Sequence, residues 1–480
     1  MFIKKWIKSF HKHFFAAWIN SISSILLVSV ILFIATKFLS TSELNAWFLI
    51  SSMIALSQSV QSGAGYIIER YINYSNTGIP LYKFRSIAKN NITLTERKIC
   101  TLNQTQNIIN FSLLLYIFFA ILFVSICLIV GELIVEPLIT PNLPRDVYKY
   151  SWIVLIILSS VSMFLSFSIS VMRGLKSVLA TEIIQALCSF VVMTQLLGYA
   201  FFSSQVSLTQ VLFAQPLALL AANILIAYKL KKKLNKIGII SIYPKFSKFL
   251  FNLFFDALKK TVVTIITSSI IKNLPTPIFT LWLSPSSLSS ILTTIRIFDL
   301  IEKILASTYN VTRPILINLK VSNKLSDYKK TLSITFQILM LILLLFFIII
   351  SNFGQNLFDF IGINILIPSY SILFLLSLKI LISRWAGILL DVSNHVNVII
   401  EHKTSLILTF GLMSLIICMH YLNVFSVINY LICYIFSLVM SSIFIIKNVY
   451  SYLNESFLTF EQNFILPSLI IFTLVFIMSI

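Results

Sequence analysis

The chain has 480 residues, of which 58% are hydrophobic, 14% aromatic and only 11% charged, where soluble globular proteins carry about 25% charged residues. With 41 Phe and a mean hydropathy of +0.95, this composition excludes an ordinary soluble enzyme, a secreted disulfide scaffold and a disordered chain. It points to a polytopic membrane protein; the net charge of +20 takes its meaning from where the basic residues sit.

Membrane-spanning helices are predicted at 15–36, 46–68, 111–131, 150–172, 179–202, 209–228, 261–283, 288–309, 334–352, 367–390, 404–423 and 425–446, with a shorter apolar run at 464–480. Each full run has about the 20 residues that a helix needs to cross the hydrocarbon core. The N-terminus carries Lys4, Lys5, Lys8 and Lys12, and the loop after the second span has Arg70, Lys83, Arg85, Lys89, Arg97 and Lys98. Arg173 and Lys176 follow the fourth span, nine lysines occupy 229–260, and Arg313, Lys320, Lys324, Lys329 and Lys330 follow the eighth. Lys403 and Lys447 lie on the same side, whereas the alternate loops carry Arg145 and Lys149. This asymmetry places the Lys/Arg-rich side, with the N-terminus, in the cytoplasm. The positive charge is thus a topology signal, reinforced by attraction to anionic lipid headgroups. No basic–aromatic module suggests nucleic-acid binding. The first run is too long, and Phe38-Leu39-Ser40-Thr41 too poor a cleavage site, for a cleaved signal peptide. Cys100, Cys127, Cys188, Cys418 and Cys433 show no metal-ligand spacing, and the four inside apolar runs read as small core residues.

Residues 229–260 separate two six-helix halves, 1–228 and 261–446, leaving a terminal segment, 447–480, that ends in the short run. Leu39-Ser40-Thr41-Ser42-Glu43-Leu44 after the first span is echoed by Leu283-Ser284-Pro285-Ser286-Ser287-Leu288 after the seventh. Six spans per half is an even number, so the halves are expected to be parallel repeats about an axis along the membrane normal. The fold class is therefore an all-α polytopic membrane protein of about 12–13 transmembrane helices in two six-helix parallel-repeat bundles. Residues 78–110 and 238–258, mixed basic and apolar, suit helices lying in the inner interface.

The outer loops are too short for the catalytic loop of a glycosyltransferase or oligosaccharide polymerase, and no phosphate loop, zinc spacing or catalytic triad occurs. The chain is not expected to be an enzyme. Charges inside spans are costly and mark interior or functional positions. Lys272 and Lys379 each lie near the midplane of their span; Arg296 and Asp299 share one stripe of the eighth span with Leu292 and Lys303, so Asp299 can pair with Arg296 or Lys303. Arg384 lies five residues beyond Lys379. Ser268, Ser269, Lys272 and Thr276 form a polar stripe before a kink expected at Pro275 and Pro277. Gln58, Gln61 and Asn20 add polar groups from the first two spans. Facing one interior, these residues would make a net-positive cavity suited to an anionic substrate, with Lys272, Arg296, Lys379 and Arg384 as its binding groups. Glu182 and Gln185 lie at the inner end of the fifth span. Ser159, Ser162, Ser166 and Ser170 form a stripe that reads as a helix-packing seam.

The sequence resembles the O-antigen, Wzx-type polysaccharide flippases of the MATE-like multidrug/oligosaccharidyl-lipid/polysaccharide exporter superfamily. The resemblance rests on Leu39-Ser40-Thr41-Ser42-Glu43-Leu44-Asn45-Ala46-Trp47-Phe48 leading into the second span, and on Gly63, Gly65 and Arg70 at its inner end. Arg173-Gly174-Leu175-Lys176 resembles the family's turn into the fifth span. Asn45-Ala46 stands where a glycine is usual, and a thirteenth span departs from the family's twelve or fourteen. The resemblance implies a MATE-like fold in a bacterial inner membrane and alternating access. Its substrate would be an undecaprenyl-pyrophosphate-linked oligosaccharide turned from the cytoplasmic to the periplasmic face. It implies no cofactor, coupling to a proton or sodium gradient with Asp299 and Glu182 as the candidate carboxylates, and partners among polysaccharide polymerase and chain-length machinery. A lipid II-type flippase, a MATE-type drug exporter and an oligosaccharide polymerase stand as alternatives; the first expects fourteen spans, the second an acidic cavity, the third a large outer loop.

Overall fold

A computed structural model describes residues 2–76, 102–139, 145–203, 206–239, 241–321, 325–395 and 401–453. The helices are α1 (Phe2–Phe38), α2 (Thr41–Asn76), α3 (Leu102–Val130), α4 (Glu136–Ile139), α5 (Arg145–Leu165), α6 (Phe167–Gly174), α7 (Val178–Phe202), α8 (Leu208–Ile237), α9 (Lys248–Asn273), α10 (Pro275–Trp282), α11 (Pro285–Val321), α12 (Leu325–Ile361), α13 (Tyr370–His395), α14 (Glu401–Tyr421) and α15 (Val427–Leu453). To within a few residues, all twelve full-length apolar runs lie in these helices, and no strand occurs among the described residues. The run 464–480 and the loop 77–101 lie outside the described residues.

Among the described residues, eight helical stretches are long and apolar enough to cross a membrane, and Val427–Ile443 of α15 is a further apolar stretch. The second, seventh and eighth predicted spans carry polar groups: Ser57, Gln58 and Gln61 in α2, Ser268, Ser269 and Lys272 in α9, and Arg296, Asp299 and Glu302 in α11. The apolar helices turn one face outward. On α7, Ile183, Leu187 and Phe190 are exposed at helical spacing, and on α12 so are Ile334, Ile338, Leu341, Leu345 and Ile349. Such faces belong in lipid. Cys127 and Cys188 are buried as expected of small core residues, whereas Cys418 is exposed. It shares the outer surface of α14 with Phe410 and Ile417.

The chain forms two compact units, Met1–Pro277 and Ile278–Ile480. In the first, α1 packs on α7, α2 on α3, α6 and α9, and α8 on α5 and α7; Ile68, Ile72, Phe111, Tyr116, Val171 and Phe254 are among its core residues. In the second, α11 packs on α12 and α13, and α15 packs on α13 and α14. The first unit takes in α9, which packs on α2 although its membrane-spanning part follows the 229–260 segment.

Local chemistry explains several boundaries. Ser40 and Glu43 form a capping box at the start of α2: the Ser40 N–H donates to Glu43 Oε2 at 3.0 Å and the Glu43 N–H to Ser40 Oγ at 3.4 Å. Its echo, Ser284, immediately precedes α11, where Pro285 takes the first helical position and the Ser284 hydroxyl donates to Ser287 Oγ at 2.9 Å. The serine echo is thus a helix-start signal in both places. Pro275 ends α9 at Asn273 and begins α10, which is the expected break. Residues 238–258 do not form a separate interfacial helix. Gly238 closes α8 at φ 90°, residues 241–247 are irregular, and α9 then continues from Lys248 into the seventh span. The Ser247 side chain accepts the Leu250 N–H at 3.4 Å, and no breaker follows until Pro275. The serine stripe is a packing seam: Asn223 of α8 donates to Ser162 O and Oγ at 2.8 and 2.9 Å, and Ser170 Oγ lies 3.0 Å from Tyr116 Oη of α3.

Candidate functional site

The candidate residues fall into two clusters, one in each compact unit. In the second unit, α11 presents Arg296, Asp299 and Glu302 three residues apart, on one side of the helix. Arg296 Nη1 lies 3.8 Å from Asp299 Oδ2, a loose pair within one turn. Arg384 of α13 donates through Nη2 to Glu302 Oε1, crossing from one helix to the other. Lys379, five residues earlier on α13, sets its ammonium over the Tyr434 ring of α15, 4.8 Å from the centroid. Asp299, Glu302 and Arg384 are also the charges that bear on Tyr434, so these side chains form one electrostatic group.

The balance within this group is uneven. Arg296 and Arg384 each face a carboxylate, while Lys379 has a π face and no carboxylate partner among the described residues. A desolvated cation–π contact holds an ammonium by on the order of 1–2 kcal/mol, much less than a buried hydrogen-bonded ion pair resists separation. Of the three cations, Lys379 is therefore the one that an arriving anion can claim most cheaply. Lys303, on the same stripe, is exposed.

In the first unit, Glu182 of α7 is the hub. Its Oε1 accepts from Arg173 Nη2 at 2.6 Å and its Oε2 from Asn20 Nδ2 of α1 at 2.6 Å. Asn20 also donates to Gln185 Oε1, one turn along α7, at 3.3 Å. Glu69 of α2 stands in the field of both Arg173 and Glu182. The carboxylate of Glu182 has only 9% of its side chain exposed, and these two charge-assisted bonds offset its desolvation. The turn after Arg173 is clasped as well. Gly174 lets α6 approach α2, because a Cβ there would lie 2.7 Å from Ile72 Cβ and 3.0 Å from Glu69 O. Leu175 is buried, Lys176 takes φ 59°, and Lys233 Nζ of α8 donates to Leu175 O and Ser177 Oγ.

Lys272 lies exposed in the last turn of α9, where a cation also meets the negative end of the helix. One turn on, Thr276 Oγ1 accepts from Ser52 Oγ of α2 at 2.9 Å. Gln58 and Gln61 lie in α2, and their side chains are outside the described residues. The structure thus brings Asn20 to Glu182 and places Arg296, Asp299, Lys379 and Arg384 in one group. Three participants escaped sequence reasoning: Glu69, the role of Arg173 as partner to Glu182, and Tyr434. Arg173 reads in the sequence as a topology charge and as part of the turn into the fifth span, yet its nine-residue separation from Glu182 across that short turn is a signal for the pair.

No protein-family model matches the sequence, and no curated protein matches it. Solved structures do. An inward-facing multidrug resistance MATE family transporter of the MOP superfamily is similar with a TM-score of 0.66 at 13% identity, over 90% of this chain and 96% of that one. The lipid II flippase MurJ in an inward closed conformation gives a TM-score of 0.62 at 14% identity, over 97% of this chain and 93% of its own. A eukaryotic MATE transporter gives 0.59 at 12% identity, over 95% and 97%. The chain is a multi-pass, all-helical membrane protein with a MATE-like fold.

Proposed function

We propose that this protein is a flippase. Its cargo would be an undecaprenyl-pyrophosphate-linked oligosaccharide, an O-antigen or related polysaccharide repeat unit, moved from the cytoplasmic to the periplasmic face of a bacterial inner membrane by alternating access. The observation that carries the reading is Lys379, a cation at membrane depth held over the Tyr434 ring while its neighbours Arg296 and Arg384 face carboxylates. A pyrophosphate can displace that π contact and take a charge-assisted hydrogen bond instead. Arg384 and Arg296 keep the site positive around it, and Lys272 is a further phosphate contact on its own unit. The likeness to a lipid II flippase over nearly the whole chain supports lipid-linked cargo.

The N-terminus is cytoplasmic in this reading, no cofactor is needed, and a proton or sodium gradient drives the cycle. Asp299 is the carboxylate we assign to coupling in the second unit, since its 3.8 Å pair is the loosest of those described. Glu182, held by two short bonds, is its counterpart in the first. The product would pass to polysaccharide polymerase and chain-length machinery.

A MATE-type drug exporter is the competing reading, favoured by the likeness to multidrug transporters; the net-positive group of the second unit speaks against cationic drugs as cargo. The sidedness of lipid-linked sugar in cells lacking the protein separates them. A membrane-impermeant sugar-modifying reagent on spheroplasts should find undecaprenyl-linked units shielded at the inner face. Units exposed at the outer face would sink the flippase reading, and no accumulation at all would favour the exporter.

A further inference from the structure

The passage from α8 to α9 has two unlike sides. One is anchored: Gln106 Nε2 of α3 donates to Ser241 O at 3.1 Å, and the Tyr243 N–H donates to Asn110 Oδ1 at 3.2 Å. Leu250, Leu253 and Phe254 are buried, with Phe254 edge-on to Tyr71 at 4.8 Å and against Phe111 at 5.1 Å. The other side is bare. Phe246 is 63% exposed, and Phe249, Phe251 and Phe255 are each between 42% and 52% exposed. Three of these rings touch one another, Phe246 to Phe251 at 5.9 Å and Phe251 to Phe255 at 5.6 Å, stacked.

Exposed lysines lie within this aromatic rim and on the helix that leads into it. Lys245 and Lys248 are exposed within it, and Lys231, Lys232 and Lys236 are exposed on the last turns of α8. Lys232 rests over the Tyr228 ring, 4.6 Å from its centroid. The rim covers the first two turns of α9 and the segment before it, ahead of the seventh predicted span at 261–283, on the side that the Lys/Arg asymmetry assigns to the inner interface. Four exposed Phe in water would be a large apolar liability. Beside cations at a membrane boundary, they match a ligand with an apolar tail and an anionic head.

We propose that the rim formed by residues 243–255 and the C-terminal turns of α8 is a binding surface for anionic phospholipid. Phe246, Phe249, Phe251 and Phe255 enter the acyl boundary, and Lys231, Lys232, Lys245 and Lys248 engage the headgroup phosphates. Because the inner side of the same segment is bonded to α3 and packed on α2, lipid held there also fixes the entry angle of α9. The surface is independent of the cargo assigned above and stands if that assignment fails.

The test is lipid-dependent thermal unfolding of the purified full-length protein in neutral detergent, titrated with phosphatidylglycerol, phosphatidylcholine or inorganic phosphate. Each basic residue near an anionic leaflet is worth about fivefold in partitioning. Phosphatidylglycerol should therefore half-saturate at a concentration at least about tenfold below phosphatidylcholine. That preference should collapse as NaCl rises from about 0.1 M to about 1 M. The variant Lys231→Gln/Lys232→Gln/Lys245→Gln/Lys248→Gln should bring the two lipids within about twofold, and Phe251→Ser/Phe255→Ser should weaken both. Equal response to the two lipids overturns the proposal. So does a preference that survives high salt or the four glutamines, and so does an equal shift with inorganic phosphate, which would mark a site for soluble anions. If the lysine variant fails to fold, the salt titration of the unaltered protein decides alone.

Discussion

Arg173 at the end of α6 and Glu182 on α7 form a 2.6 Å ion pair that closes the turn Gly174–Ser177 from above, while Lys233 holds the same turn from α8. Arg173→Ala leaves the Glu182 carboxylate buried with the neutral Asn20 amide as donor and no cation facing it, and an uncompensated buried charge is costly. Since a third of the Arg173 side chain is exposed, the expected loss is discounted to about 2 kcal/mol. It should appear as a lower thermal midpoint of the detergent-purified protein. Arg173→Leu/Glu182→Leu should lose less than Arg173→Ala, because the double change strands no charge; a larger loss would show that the pair itself holds α6 to α7.

Gly174 is where α6 meets α2 most closely, with Ile72 Cβ and Glu69 O in the path of any side chain. Gly174→Ala should force the two helices apart and destabilise the first unit by about 1–3 kcal/mol. Ile72→Gly added to it, which removes the Cβ that a methyl at 174 would meet, should restore part of the loss despite being destabilising alone. Additive losses in the thermal midpoint would refute steric contact as the cause.

Much of this architecture was legible in the sequence, for a physical reason: a span must be about 20 apolar residues, and hydropathy records that directly. The break at Pro275 and the serine seam were equally local signals. Arg296 and Asp299 could be paired by counting along one helix. The rest needed the fold. Asn20 meets Glu182 across 162 residues, and Arg384 meets Glu302 across 82, separations that carry no periodicity. Glu302, beside Lys303 in the sequence, finds its partner Arg384 on α13 instead. Tyr434 was hidden for a different reason, since an aromatic residue in an apolar helix looks like core until a cation is found over its ring.

Arg384 and Glu302 join α13 to α11 with about a quarter and a fifth of their side chains exposed. Arg384→Ala should cost about 2–4 kcal/mol and lower the amount of protein in the membrane. Arg384→Leu/Glu302→Leu should recover that amount, because neither charge is then buried alone. The double variant separates the roles of the pair. If glycan export returns together with protein level, the pair ties helices; if level returns and export does not, Arg384 acts on the cargo.

Lys379 allows the sharper test of transport because its partner is a ring. Lys379→Ala removes the cation but leaves no buried carboxylate unpaired, so protein level should stay close to normal while surface glycan is lost. Tyr434→Leu keeps the cation and removes the π face. It withdraws on the order of 1–2 kcal/mol from the empty state, so the ammonium becomes a more avid ligand for phosphate, up to about tenfold by that energy. Tighter capture without faster release slows a cycle that needs both; export by Tyr434→Leu should therefore fall while cargo bound to the purified protein rises. Lys272→Ala should lower export as well, by loss of a phosphate contact on the first unit. Normal surface glycan from both lysine variants would remove the anionic-cargo reading, whereas loss in Lys379→Ala with normal export in Lys272→Ala would confine cargo recognition to the second unit.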